Sequence, residues 1–322
     1  MTYYKTMLCE NVGPDKSTFV MLLRVCALSN EKIMGESFHC QIIKMGFEFD
    51  LVLQTGLLNF YSKVGNLEFA KRVFVEMPER DAVAHNVMIS ALGKHGFVSD
   101  AKKLFDEMPG KNLFSWNSMI SGYCKLGDIN AARSTFDCNP VKDVVSWNTM
   151  IDGYCKLGKL TIARELFDSM GSVKNTVTWN TMITGYVQCR DFHRAISTFH
   201  EMQAENVRPD DVTMISLLSA SAHLGALDMG NWIYAYIRCR NIRINVVLGN
   251  ALIDMFCKCG SIEAALSVFH GLSVKNIFCW NSIILGLGSF GYGEEAMTAF
   301  ADMKKDGIKP DGVTFVGLFE WV

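Results

Sequence analysis

Apolar and polar positions recur along this chain with a helical period, and the whole pattern then repeats. Between Val144 and Asn175, Trp147, Met150, Ile151 and Tyr154 fall at i, i+3, i+4 and i+7, which is one apolar face of a helix. Gly158 follows, a residue type that ends helices in the left-handed conformation. Leu160, Ala163, Phe167 and Met170 then form a second apolar face, with Arg164, Glu165 and Asp168 elsewhere on the cylinder. Neither helix is long enough to be stable alone in water. The pair must lean on neighbours, and near-copies of it lie on both sides.

The copies divide the chain at regular marks. Complete repeats run over 16–50, 51–81, 82–112, 113–143, 144–175, 176–210, 211–245, 246–276 and 277–311. A partial repeat occupies 1–15, reading as a second helix, and another begins at 312–322. Lengths alternate between 31 and 35 residues, with one of 32. Gly65, Gly96, Gly127, Gly158, Gly225, Gly260 and Gly291 share the slot that ends the first helix. Asn30 fills it in the first complete repeat and tolerates the same conformation; Arg190 fills it in 176–210, where a different cap is expected. All six prolines, Pro14, Pro78, Pro109, Pro140, Pro209 and Pro310, sit just before a repeat ends. A helix pair of this length stacked on its own copies predicts an all-α fold. Its expected form is a right-handed superhelical α-solenoid of helix-turn-helix repeats with a long concave face.

Composition narrows the chemistry. The 322 residues carry a net charge of −2 and 49% apolar content, ample for a core. No run of about 18 apolar residues is present, so no membrane span is expected. The first residues have neither a signal peptide's apolar segment nor the Arg- and Ser-rich character of a transit peptide. Because the chain opens inside a repeat, it is expected to be an internal piece of a longer protein, with any targeting segment upstream.

Of the eleven cysteines, Cys124, Cys155 and Cys257 share one slot and Cys189 and Cys259 another. Equivalent slots in successive repeats are packing positions, which favours reduced core thiols over disulfides or metal ligands. No Cys-x-x-Cys occurs, and Cys257-Lys-Cys259 is not a zinc spacing. The seven histidines are scattered among the repeats. There is no phosphate loop, no hydrolase elbow and no His-x-Glu with a downstream Pro-Cys-x-x-Cys. No catalytic constellation, metal or cofactor is therefore expected.

Four slots carry candidate binding chemistry. The fifth residue of a repeat, in the first turn of its first helix, is Thr55, Asn86, Asn117, Asn148, Asn180, Asn250 or Asn281. Asn is a mediocre helix former. Its recurrence fits either a structural amide bond between repeats or recognition of a base edge, since the amide holds both donor and acceptor. The last residue is Asp81, Asn112, Asp143, Asn175, Asp210, Asn276 or Asp311, either an ordinary turn residue or a second polar reader. The second residue is Val52, Val83, Phe114, Val145, Val177, Val212, Val247 or Phe278, either inter-repeat packing or the walls of a sandwich around a flat ring. Lys63, Lys94, Lys125, Lys156 and Lys258 stand two residues before the capping glycine. They fit either a solvated helix end that suits the dipole or a phosphate stripe. The slot becomes Gln188, His223 and Ser289 elsewhere.

The openings VVSWNTMIDGYCKLG and TVTWNTMITGY and the endings MPERD and RPD resemble the pentatricopeptide repeat family across essentially the whole chain. The tetratricopeptide signature Trp-x2-Leu-Gly-x2-Tyr is absent. The succession of 35, 35 and 31 residues from 176 to 276 resembles the plant subclass with alternating long and short motifs. The resemblance implies single-stranded RNA as partner, one base per repeat, read by the fifth and last residues.

On the family's code Asn with Asp favours U, Asn with Asn favours C, and Thr with Asp favours G. Repeats 51–210 then read G-C-U-C-U, 5′ to 3′ from the N-terminus, and 246–311 read C-U. Val20 with Asp50 and Ile215 with Asn245 are left unread, because an apolar fifth residue cannot hydrogen-bond a base. The resemblance further implies organellar RNA metabolism in a mitochondrion or chloroplast, in particular recognition of C-to-U editing sites. Editing or processing proteins would act in trans, with no membrane and no small-molecule substrate. RNA splicing or stabilisation, or a protein-binding scaffold, are the competing readings. The net charge stands against a generic nucleic-acid binder, which is usually basic.

Overall fold

The computed structural model of the protein describes residues 2–108 and 110–319. Pro109 and the last three residues of the final partial repeat lie outside the described residues. Among those described there are twenty α-helices, one 3₁₀ turn and no strand. Two compact bodies divide the chain, 1–153 and 154–322.

The first body holds α1 (Thr2–Cys9), α2 (Lys16–Ser29), α3 (Lys32–Lys44), α4 (Leu51–Lys63), α5 (Leu67–Glu76), α6 (Ala82–Lys94), α7 (Val98–Glu107), α8 (Leu113–Leu126) and α9 (Ile129–Cys138). The division falls inside α10 (Val144–Lys156). The second body holds α11 (Leu160–Ser169), α12 (Thr176–Gln188), α13 (Phe192–Ala204), α14 (Asp211–Leu224) and α15 (Leu227–Cys239). It continues through α16 (Val246–Lys258), α17 (Ile262–Gly271), α18 (Ile277–Ser289), α19 (Gly293–Lys305) and α20 (Gly312–Phe319). Between α2 and α19 the helices alternate as first and second members of pairs. None of these helices is long and apolar enough to cross a membrane.

The difference between long and short repeats lies in the second helix. It has 13 residues in α3, α13, α15 and α19 but 10 in α5, α7, α9, α11 and α17. The long repeats add close to one helical turn. The 32-residue repeat inserts the 3₁₀ turn Gly171–Val173 before its end.

The pattern of apolar positions becomes the core. Met150, Ile151 and Tyr154 on α10 are buried, as are Ala163, Phe167 and Met170. First helices pack side by side, α2 on α4 on α6 on α8 in one body and α12 on α14 on α16 on α18 on α20 in the other. Second helices join the next repeat through an aromatic pair. Phe105 meets Trp116, Phe136 meets Trp147, Phe167 meets Trp179 and Phe269 meets Trp280, edge to face at 4.7–4.9 Å. Such pairs contribute about 0.5–1.5 kcal/mol beyond their buried area. Lys111, Lys142, Lys174 and Lys275 cover the same four Phe rings at 4.8–5.3 Å.

The turn between helices corrects one expectation. In place of the different cap expected at Arg190, its φ is 60°, in the region occupied by Asn30 and by Gly158 at 71°. Its turn closes in the usual way, with the Arg190 N–H on Val187 O and the Asp191 N–H on Tyr186 O. The backbone pattern of the repeat prevails over the steric preference of a side chain at positive φ.

Candidate nucleic-acid interface

The last residue of each repeat is the N-cap of the next repeat's first helix. The Oδ1 of Asp50, Asp81, Asn112, Asp143, Asn175, Asp210, Asn245, Asn276 and Asp311 accepts the backbone N–H three residues on, at 2.8–3.1 Å. These residues are more than turn formers: each satisfies an otherwise orphaned helix-end donor. The cap also holds the side chain in place beside the fifth residue of its own repeat.

In four repeats the two slots are bonded directly. The Nδ2 of Asn86 donates to Asn112 Oδ1 at 3.3 Å, that of Asn117 to Asp143 Oδ1 at 3.1 Å, that of Asn180 to Asp210 Oδ1 at 2.8 Å, and that of Asn281 to Asp311 Oδ1 at 3.0 Å. Asn86, Asn180 and Asn281 are only 6–7% exposed, whereas Thr55, Asn117, Asn148 and Asn250 are half-buried. A structural amide bond at each of these four junctions is therefore present. The slot is not a row of free surface amides. Thr55 and Asp81, and likewise Asn250 and Asn276, are not bonded to each other among the described residues. Instead Asn250 Oδ1 accepts from the Ser282 hydroxyl at 3.1 Å. Asn86 Oδ1 and Asn148 Oδ1 are buried without a hydrogen-bond partner among the described residues.

The two unread repeats use their last residue otherwise. Val20 and Ile215 are half-buried and offer no polar atom. Asp50 pairs with Lys16 at 2.7 Å, and Asn245 donates to Asp211 at 3.3 Å, so each turns to the first residue of its own repeat. The Lys16 hydrogen bond and the Leu53 N–H hold the Asp50 carboxyl below its ordinary value.

The second-residue side chains stand in solvent. Val52, Val83, Phe114, Val145, Val177, Val212, Val247 and Phe278 are 47–63% exposed, too open for core packing. The slots meet most clearly between α6, α8 and α10. A cleft of about 510 Å³ there is lined by Phe114 and Val145, by Asn117 and Asp143, and by Lys94 and Lys125. Burial alone would raise the Asp143 carboxyl. Hydrogen bonds from the Ser146 N–H and from Asn117, with the Ser146 hydroxyl close by, outweigh this and hold it below the ordinary value, so it is ionised at neutral pH. The Thr314 N–H is the largest influence lowering Asp311, helped by Asn281.

The lysine slot is fully on the surface, at Lys63, Lys94, Lys125, Lys156 and Lys258. Lys258 is paired with Asp254 at 2.8 Å, which reduces its reach as a phosphate contact. Among the described residues, no group of three or more His, Cys, Asp or Glu could hold a metal ion.

The sequence pattern missed one participant. The third residue of the following repeat, Ser146, Thr213 or Thr314, donates its hydroxyl to the fifth-slot asparagine. The signal was legible as a Ser or Thr recurring three residues after the capping Asp or Asn, the spacing of a capping box.

A stack of two-helix repeats, four of whose junctions carry a bonded polar pair, defines a helical-repeat protein. The chain belongs to the pentatricopeptide repeat family. The PPR repeat family profile matches residues 174–223 and 275–321, and PPR repeat profiles match 139–171, 55–81, 83–113, 114–138 and 250–277. The Arabidopsis thaliana pentatricopeptide repeat-containing protein At1g06143 is 54% identical over 88% of this chain and 44% of its own length. A second Arabidopsis protein of the family, At1g59720, named as chloroplastic/mitochondrial, is 30% identical over 99% of this chain and 36% of its own. The mitochondrial relative At2g22410 is 38% identical over 98% and 37%. The chain thus spans a third to a half of the length of these curated relatives. The crystal structure of PPR10 with an 18-nt psaJ RNA element shares the fold, with a TM-score of 0.69 at 20% identity over 99% of this chain and 49% of that one.

Proposed function

We propose that this chain binds single-stranded RNA sequence-specifically, one base per repeat, with the fifth and last residues as readers. The observation that carries the reading is the cleft around Asn117 and Asp143. Its lining brings together the hydrogen-bonded pair Asn117 and Asp143, the exposed side chains of Phe114 and Val145, and Lys94 and Lys125. These groups suit the edge, the faces and the phosphate of one nucleotide. PPR10, crystallised in complex with RNA, supports the same chemistry for this fold. Repeats 51–210 read G-C-U-C-U and repeats 246–311 read C-U; the repeats with Val20 and Ile215 are left unread.

Within this proposal the chain is of the plant subclass with long and short motifs, a reading supported by second helices of 13 and 10 residues. Its site of action is an organelle, in line with relatives named chloroplastic or mitochondrial. Its task is marking C-to-U editing sites, with deamination supplied by residues outside 1–322 or by a partner protein. Gel shift of a strand containing GCUCU against a permuted control tests the binding, and equal affinity for the two would refute it. Sequencing of organellar transcripts from plants lacking the gene tests the task. Unaltered C-to-U conversion at every site would refute the editing assignment while leaving RNA binding intact.

A further inference from the structure

Three hydroxyls occupy asparagine carbonyls in the same manner. Ser146 donates to Asn117 Oδ1, Thr213 to Asn180 Oδ1 and Thr314 to Asn281 Oδ1, each at 2.6 Å. The same oxygens lie 2.8, 3.0 and 3.1 Å from Oδ1 of Asp143, Asp210 and Asp311. Each hydroxyl belongs to the residue whose backbone N–H is capped by that same aspartate. The cap therefore sets its position.

This arrangement removes a freedom that asparagine otherwise has. Turning the amide over would set its carbonyl against the carboxylate and lose the hydroxyl bond. With the carbonyl occupied and one N–H on the aspartate, the pair offers a ligand its second amide N–H and the remaining carboxylate oxygen. A donor beside an acceptor matches a carbonyl and the N3–H of uracil. The unprotonated N3 of cytosine would face carboxylate lone pairs.

The repeat at 82–112 is built the other way. Its last residue is Asn112, and the Ser115 hydroxyl turns to the Asn112 backbone carbonyl at 2.8 Å. Asn86 Oδ1 is left buried with no partner among the described residues. An unsatisfied buried acceptor is costly, and with no hydroxyl on its carbonyl nothing fixes this amide against turning over to meet the 4-amino group and N3 of cytosine.

We propose that the third residue of the following repeat is a positioning residue that sharpens base choice: its hydroxyl locks the asparagine amide for uracil, and its withdrawal leaves the amide free to turn over for cytosine. This rests on the base-reading function proposed above and extends it to a residue outside the reading pair. In repeat 246–276 the Ser282 hydroxyl occupies Asn250 Oδ1, although the last residue is Asn276. That repeat therefore discriminates cytosine from uracil less sharply than 82–112 does.

The test uses the full chain and fluorescence anisotropy with GCUCU and GCCCU, which differ at the base facing repeat 113–143. Ser146→Ala is expected to lower the preference for GCUCU by about threefold to tenfold, the worth of one hydrogen bond. Ser146→Thr should retain it, as Thr213 and Thr314 already serve the same slot. Thr213→Val, with Thr213→Ser as rescue, repeats the measurement at the fifth base with GCUCC and keeps the shape of the side chain. A merely structural hydroxyl would weaken both strands equally and leave the ratio unchanged, and that result overturns the proposal. If the wild-type chain itself binds GCUCU and GCCCU equally, the base-reading function fails and this inference fails with it. If the wild type discriminates and both hydroxyl variants discriminate equally well, only this inference fails.

Discussion

The Cys257 side chain occupies the space into which a Cβ on Gly286 would project. Cys155 and Gly185 repeat the relationship, as do Cys124 and Gly153, where the sulfur lies 2.6 Å from the ideal Cβ position. The cysteine slot of one repeat thus nests in a glycine slot of the next, and two first helices close on each other there. Gly286→Ala should therefore destabilise the protein by about 1–3 kcal/mol through overpacking. Gly271→Ala, at a helix end with open space around it, should be neutral or slightly stabilising. Urea midpoints of the two variants check the contrast. Equal midpoints would show that the nesting is unimportant.

Burial pushes the Cys257 thiol up to about 12, with Asp254 adding to the effect. A thiol whose folded pKa lies above its unfolded value of about 8.5 contributes stability fully present below that value. The contribution is lost as pH rises toward 12. Between pH 8 and pH 10.5 the unfolding free energy should fall more steeply in the wild type than in Cys257→Ala. Parallel pH profiles would contradict the assigned burial.

Asp210 serves two neighbours, capping α14 through the Thr213 N–H and accepting from Asn180. Asp210→Ala should cost about 0.5–2 kcal/mol of stability from the lost cap. Asp210→Asn should cost much less, because Asn112 and Asn175 already cap in the same way. Thermal unfolding of the two variants separates the cap from the charge. Equal losses would mean that the carboxylate, rather than the cap, carries the stability.

The helix pairs and the thiol slots were legible because each follows from spacing within one repeat. What spacing could not show was partners. The last residue has the composition of a turn former, but it caps the next helix and in four repeats also holds the fifth residue of its own repeat. Arg190 looks like an exception, yet the turn imposes the left-handed conformation on it all the same. Asn117 and Asn180 occupy the same slot, but one is half-buried and the other almost fully buried, since burial depends on the neighbouring repeat. The one-turn extension of long repeats was visible as length but not as helix.

Removing one wall of the cleft should weaken RNA binding without a large effect on folding. Phe114→Ala should lose about 1–3 kcal/mol of affinity, and Val145→Ala less, since a branched aliphatic has no ring to stack. The Lys94→Ala, Lys125→Ala double variant should flatten the dependence of log affinity on log salt by about one unit per lysine that contacts phosphate. The wild-type slope itself should be moderate, given a chain of net charge −2. Salt titrations of binding check this. A steep slope with no preference between sequences would point to generic electrostatic binding.

The central claim is that in the seven repeats assigned a base, the fifth and last residues together read it. Its most direct measurement is a two-by-two exchange at repeat 113–143: wild type and Asp143→Asn, each titrated with GCUCU and GCCCU. The wild type should favour GCUCU and the variant GCCCU, with similar affinity for the matched strands. A variant that weakens both strands alike, or that keeps the wild-type preference, would contradict base reading by Asn117 and Asp143.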